Sequence, residues 1–331
     1  MKKFDVITIG SALRDVMFYT DQACVMNNPA KDPARSQLIC VEYGAKIRSE
    51  NVHFEFGGGA ANTAVNFAGL GLRTAVVTAI GDDFDGQSIE RQLQTAGVDI
   101  RYLQKTSKHQ TGFSFLTIDE KTGDHVAYVY YGAVQDLQLT STQYAQLQTK
   151  WLYLGSLNTP KWKQILRTIF SDKHEQSQIA WNPGATQISA GFRTLKPYIR
   201  ETDILILNRD EAIELLLTSP QSYGAHSMEE MVEYIHGFGP RIVLLTNGRG
   251  GSYAYDGKQH YHLNTPQDHP KDTTGAGDCY GSSFVAGMIR YKGDIQKSMR
   301  LATLNASHLV QQIGAQNGLL KWNDLPKRLQ E

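Results

Sequence analysis

Cysteine is scarce in this chain: three among 331 residues, at Cys24, Cys40 and Cys279. They form no CxxC pair and no zinc spacing, so neither a disulfide framework nor a structural zinc site is expected, and a reducing compartment is. Net charge is missing as well, with 33 Lys and Arg against 33 Asp and Glu. Without a global field, neither nucleic acid nor a membrane surface is an expected partner. No apolar run approaches a membrane span. The apolar stretch before Arg14 and Asp15 is too short for a signal peptide, so a cytoplasmic protein is expected. A phosphate loop of the form GxxxxGK[ST] is absent. The one Gly-Lys pair, Gly257-Lys258, precedes Gln259, and Ser252 stands where the first glycine belongs. A dinucleotide loop fails too: Gly275-Ala276-Gly277 has Tyr280 at the position of its last glycine.

What is present is a rhythm. Short apolar runs recur at Phe4–Ile9, Ala75–Ile80, Leu152–Leu154, Ile179–Trp181, Ile204–Leu207 and Ile242–Leu245. Runs this short and unbroken suit strands buried on both faces. Helical patterns, such as Ala60–Leu70 and Asp210–Leu217, lie between them. The alternation predicts an α/β fold, a doubly wound and mostly parallel sheet flanked by helices. Glycine and polar residues follow the runs: Gly10-Ser11, Gly81-Asp82-Asp83, Asn182-Pro183-Gly184, Asn208 and Thr246-Asn247-Gly248. A ligand is therefore expected at the carboxyl edge of the sheet.

Two stretches break the rhythm. Thr111–Tyr131 reads as a hairpin with its turn near Glu120–Asp124, where Gly123 supplies flexibility. Leu38–Tyr43 and Val52–Phe56 read as a second strand pair, preceded by a polar loop over Thr20–Gln37. Together they predict a small β-sheet layer. The C-terminal KWNDLPKRLQE reads as a closing amphipathic helix.

The stretch DTTGAGD, Asp272–Asp278, opens an apolar helix rich in small residues. Backbone N–H groups at Gly275–Gly277 and the helix dipole favour an anion there, and the same dipole should hold Asp278 ionised. A carboxylate beside an anion site can accept the proton of a hydroxyl that attacks a phosphoryl group. Asp272 could tie the loop or bind a cation. The alternative is an ordinary N-cap after a glycine turn.

DTTGAGD resembles the C-terminal signature of the ribokinase-like (PfkB) family of sugar and nucleoside kinases. GGGAANTAVNFAGLG, Gly57–Gly71, is similar to that family's N-terminal glycine signature. NPGATQ at Asn182–Gln187, Asn208 with Glu211, and Thr246 with Gly248 and Gly251 resemble further family elements in the same order. The resemblance spans essentially the whole chain and implies one ribokinase-like domain over residues 1–331. Its lid would come from about 14–20, 37–56 and 110–132. It also implies roles. Asp278 would be the catalytic base, with Gly275, Ala276 and Gly277 as anion hole. Asp15, Gly57, Gly58 and Asn62 would hold acceptor hydroxyls. Asn208, Thr246, Gly248, Gly251 and Asn305 would bind ATP, with Gly314 and Ala315 in the loop that accompanies Asn305. Glu211 would place Mg2+ through water. Asp272 and Thr274 would suit K+, although Gly318 stands where some members use serine. The acceptor implied is a small sugar or sugar derivative, with a nucleoside as the alternative. A non-catalytic nucleotide or sugar sensor is a further reading. Gly59 stands where ribokinases proper carry lysine, and Ser283 where alanine or glycine is usual. An exposed lid edge could pair two copies.

The remaining candidates read as structure. Gly81–Gly86, with Asp82, Asp83 and Asp85, reads as a turn with a cap. His260 and His262 belong to a surface strand, and Cys279 is a packed thiol. Asn208 and Glu211 also fit a capping box. Tyr128, Tyr130 and Tyr131 suit either stacking on a ring or a half-buried hairpin face.

Overall fold

The computed structural model describes residues 3–30, 37–49, 51–120, 125–171, 177–220, 227–266 and 269–330. Nine strands form the main sheet, in the order His260–Leu263, Ser252–Tyr255, Ile242–Thr246, Ile204–Asn208, Gln178–Trp181, Thr149–Leu154, Phe4–Ile9, Thr74–Gly81, Leu103–Thr106. All neighbours pair parallel except at one edge, where Ser252–Tyr255 runs antiparallel to both of its neighbours.

Period two explains why the runs look unbroken. Ile7, Ile9, Leu152, Leu154, Leu205, Leu207, Val243 and Leu245 enter the core on one face. Val6, Tyr153, Ile204, Ile206, Ile242 and Leu244 enter the core on the other. Helices cover both faces, so successive side chains are buried whichever way they point. Parallel pairing also brings the carboxyl ends of the central strands to one edge. The helices Gly59–Gly69 and Ala276–Arg290 pack against each other on one face. The second of these carries glycines where neighbours crowd: a Cβ at Gly281 would stand 2.5 Å from the Tyr153 hydroxyl, and one at Gly287 2.6 Å from Ser298 Cα.

A four-stranded sheet stands apart, in the order Val52–Gly57, Leu13–Thr20, Phe113–Asp119, His125–Tyr130. Its last two strands are the expected hairpin; the turn residues 121–124, including Gly123, lie outside the described residues. The second strand pair needs correction. Gln37–Cys40 pairs with Cys24–Asn27, inside the stretch expected to be a loop, while Val52–Gly57 pairs with Leu13–Thr20. Local patterning identifies strand-forming residues but not their partners across a sheet. The C-terminal helix is also corrected. Pro326 separates a 3-10 turn, Trp322–Asp324, from a short helix, Lys327–Gln330, and Leu325 and Leu329 pack inward.

Candidate active site

Asp278 lies in the first turn of the helix Ala276–Arg290. Gly275, just before it, has φ 74°, and a Cβ there would stand 2.5 Å from that of Ala315, so both backbone and space demand glycine. The Ala276 amide donates to Thr273 O at 3.1 Å. Ala276 therefore leaves the expected set of anion-binding amides. Those of Gly275 and Gly277 have no acceptor among the described residues, and a Cβ on Gly277 would meet nothing within 4 Å. Asp272 ties the loop from below: its carboxylate accepts from Thr274 N at 2.9 Å and Gly314 N at 2.7 Å. Thr274 Oγ1 is buried and has no partner among the described residues.

Part of the Asp278 residue remains open, yet burial raises its pKa, and only the Asn62 amide opposes that. Desolvation of the charged form acts here against the favourable helix end. Asn62 Nδ2 donates to Asp278 Oδ2 at 2.9 Å, and Asn62 Oδ1 accepts from Gln316 Nε2 at 2.9 Å. Asn62 belongs to the first turn of Gly59–Gly69, whose entry is shaped by two glycines. Gly58 has φ 92°, and a Cβ on Gly57 would fall 1.9 Å from Asp15 Oδ2. Ser11 caps that helix: its hydroxyl accepts from Gly59 N at 3.1 Å, and its carbonyl accepts from Ala60 N at 3.0 Å.

Asp15 reaches this place from the small sheet. It is 5% exposed and accepts from the Ser114 hydroxyl on the adjacent strand. Burial pushes its pKa up to about 6; the Ser114 bond opposes this, while the charges of Asp278 and Asp272 add to it. Asp15 from the small sheet and two aspartates of the glycine loop, Asp272 and Asp278, therefore act on one another.

On the other side, Asn208 ends a central strand and Glu211 begins the next helix. Asn208 Oδ1 accepts from Glu211 N at 2.8 Å, and Glu211 Oε2 accepts from Asn208 N at 2.9 Å, which is a complete capping box. Burial pushes Glu211 up to about 7; the Asn208 amide opposes it and the charge of Asp278 contributes further. Thr246 ends the neighbouring strand. Gly248 opens an exposed 3-10 turn, and Gly251, with φ 85°, approaches Leu263 so closely that a Cβ would stand 2.4 Å from its carbonyl oxygen. Asn305 does not line a pocket. It is fully buried, donates to Asn66 Oδ1 at 2.8 Å and Ser283 Oγ at 2.9 Å, and accepts from Leu320 N at 2.8 Å. It joins three helices and the chain after them, which corrects its expected place beside ATP.

The bland readings of other candidates hold. Asp83 caps the helix Phe84–Thr95 and also binds Thr111. His260 and His262 stack on Tyr255 and Tyr253 in an edge strand. Cys279 is buried, and burial pushes its thiol far up, so it is unreactive. Sequence reasoning missed Ser11, Ser114 and Gln316 as parts of the site. Ser11 at a strand end was a usable signal; Ser114 and Gln316 gave none.

A family description, the pfkB family of carbohydrate kinases, matches residues 5–322. The chain is 24% identical over 324 residues to an ATP-dependent 6-phosphofructokinase of Thermoanaerobacterium thermosaccharolyticum, covering 95% of this chain and 90% of that protein. It is 27% identical over 330 residues to a nucleoside kinase of Methanothermobacter thermautotrophicus, covering 98% and 95%. The structure of Arabidopsis thaliana ribokinase, solved with ribose and ATP, superposes with a TM-score of 0.78 at 20% identity over the full length of both chains. The fold is that of ribokinase, and the match across nearly the whole chain shows that this protein belongs to the pfkB family of carbohydrate kinases.

Proposed function

We propose that the chain transfers the terminal phosphoryl group of ATP to a hydroxymethyl group of a sugar or sugar derivative, with Asp278 as general base. One observation carries this reading: the Asp278 carboxylate stands at a helix N-terminus beside the amides of Gly275 and Gly277, which have no acceptor among the described residues. Asp278 accepts the proton of the attacking hydroxyl. The two amides and the helix end receive negative charge on the moving phosphoryl group. Asp15, held by Ser114, orients acceptor hydroxyls above Gly57 and Gly58. The small sheet that carries Asp15 acts as a lid and excludes water, a competing acceptor.

Asn208, Thr246, Gly248 and Gly251 border the nucleotide side. Glu211 fits a water-bridged magnesium ion. One of its oxygens caps Asn208, and the other has no partner among the described residues. Nearby positive charge would favour the ionised carboxylate that burial disfavours. Magnesium would supply charge neutralisation on the phosphates. Among the described residues no cluster of three His, Cys, Asp or Glu could hold a metal. Asp272 acts first as the tie of the anion loop; a dependence of turnover on potassium would assign Asp272 and Thr274 to that ion as well.

A nucleoside acceptor is the second reading. At Gly59 a Cβ would stand 3.3 Å from Asp278 Oδ1, so where ribokinases carry lysine no side chain stands beside the base. The outer face of the lid favours pairing with a second copy. Among the described residues every exposed large apolar side chain except Phe84 and Leu217 lies in the small sheet or the segment beside it, Tyr43, Tyr128 and Phe54 being the most exposed. No helix among the described residues is long and apolar enough to cross a membrane; with free thiols at all three cysteines, a cytoplasmic setting is proposed.

The deciding experiment is ADP release from ATP across pentoses, hexoses, sugar phosphates, keto-sugar acids and nucleosides. Turnover with one sugar class supports the first reading, and turnover with nucleosides alone the second. No acceptor-dependent ADP in any class overturns both.

A further inference from the structure

Two amides precede Asp278 in a chain with one donor sense. Gln316 Nε2 donates to Asn62 Oδ1, and Asn62 Nδ2 donates to Asp278 Oδ2, both at 2.9 Å. A longer contact, 3.4 Å, brings Gln92 Nε2 to Gln316 Oε1. A carboxamide has nearly the same shape in its two flipped orientations, so packing alone does not select one. An ionised Asp278 can only accept. Asn62 must then present its N–H groups to Asp278 and its oxygen to Gln316, and Gln316 must donate. Reversed, the chain would aim the Asn62 oxygen at a carboxylate.

Gln316 is itself held. Its loop is anchored through Gly314 N on Asp272, through Ala315 packed against Gly275, and through Asn317 Nδ2 on Glu55 Oε2 at 2.9 Å, in the lid strand Val52–Gly57. We propose that Gln316 is a positioning residue for phosphoryl transfer: by donating to Asn62 it fixes that amide with its N–H toward Asp278. This rests on the reading of Asp278 as the base.

The titratable groups on which the charge of Asp278 bears are Asp15 from the lid, Glu211 from its helix, Tyr153 from the central sheet and Cys279 on its own helix. None is a cation, so the Asn62 bond is what favours the ionised form. The test needs no acceptor. Protein labelled with 13C at aspartate carboxyls is titrated by NMR, the Asp278 resonance being assigned by its loss in Asp278→Asn. In Gln316→Met, similar in size and unable to donate, the Asp278 midpoint should move up by roughly half a pH unit or more. In Gln316→Glu, which can only accept, it should move further. The neutral methionine separates positioning from the mere addition of charge. In an Asn62→Ala background, Gln316→Met should leave the midpoint in place. An unmoved Asp278 midpoint in Gln316→Met, with the melting temperature preserved, overturns the proposal. With an active acceptor, kcat should fall about tenfold in Gln316→Glu, and nucleotide KM should hold. If Asp278→Asn retains turnover, the base reading fails on its own, whatever the titration shows.

A separate observation concerns the thiols. Cys24 and Cys40 are direct cross-strand partners in the two-stranded arm, and neither is buried. Opposed residues in such a ladder lie within the reach of a disulfide. We infer that this pair is an oxidisable dithiol. With glutathione disulfide as oxidant, the two thiols would give up two protons and two electrons to form one S–S bond, releasing two reduced glutathiones. Intact mass after treatment should fall by about two daltons, and digestion should yield a Cys24–Cys40 linked peptide. Cys279 should remain a thiol. Stable glutathione adducts at Cys24 and Cys40, or no reaction at either, would overturn the inference.

Discussion

Replacing Asp278 with asparagine should lower activity while leaving stability intact or raising it. The substitution is isosteric. An amide oxygen at 278 can still accept from Asn62 Nδ2, and the other half of the group faces Gly59, where no side chain competes. Packing against Gly59–Gly69 is therefore preserved. The general-base contribution is lost, about 10²–10⁴ in kcat, or roughly 3–5 kcal/mol of transition-state stabilisation. The sign for stability is opposite. Burial raises the folded pKa of Asp278 above its unfolded value. A carboxyl so shifted costs the folded state free energy once pH exceeds the unfolded value, and the whole cost is present above the folded one. Asparagine removes that cost. Its melting temperature at pH 7.5 should equal or exceed that of the parent, and the difference should shrink as pH falls toward the unfolded pKa. Acceptor-dependent ADP release gives the first quantity, calorimetry at several pH values the second, and nucleotide titration checks that ATP affinity is retained. Turnover within tenfold of the parent would remove Asp278 from the chemistry. A large fall in melting temperature would show that the carboxylate is a structural anchor.

Three further outcomes are expected. Acceptor KM, but not nucleotide KM, should rise as pH falls through about 6, where Asp15 takes up its proton; Asp15→Asn should raise acceptor KM about tenfold and flatten that dependence, and equal changes in both constants would refute the assignment. Glu211→Gln keeps an oxygen for Asn208 N and removes a carboxyl that burial disfavours in its charged form, so the melting temperature should hold or rise while the magnesium concentration needed for half-maximal rate rises severalfold; an unchanged requirement removes Glu211 from the metal. Gly275→Ala forces a side chain into left-handed backbone, at about 1–2 kcal/mol, and into Ala315, so melting temperature and turnover should both fall; unchanged values for both would mean that the loop relaxes freely.

The sheet was legible because its strands are buried on both faces: a run such as Ile204–Leu207 has no polar residue to obscure its period. The same property placed the site at the edge where such runs give way to glycine and asparagine. Pairing was less legible. Nothing local in Leu38–Tyr43 says that its partner lies at Cys24–Asn27 rather than at Val52, because Cys24–Asn27 is short, wholly exposed and without alternation, while Val52–Gly57 alternates as a strand should. The site divided along the same line. Asp278 and Gly275 announce themselves, since a carboxylate after a glycine loop is a local pattern. Ser114 and Gln316 matter only because the fold carries them across 99 and 254 residues to Asp15 and Asn62. Asn305 shows the converse. A polar residue in an amphipathic helix invites a ligand, yet its amide closes a network among three helices. A buried amide must find partners somewhere, and whether they belong to protein or substrate is decided by distant chain. What sequence reads well is therefore chemistry held by neighbours a few residues away. What it misses is contact assembled by packing, such as the run of amides from Gln316 through Asn62 to Asp278.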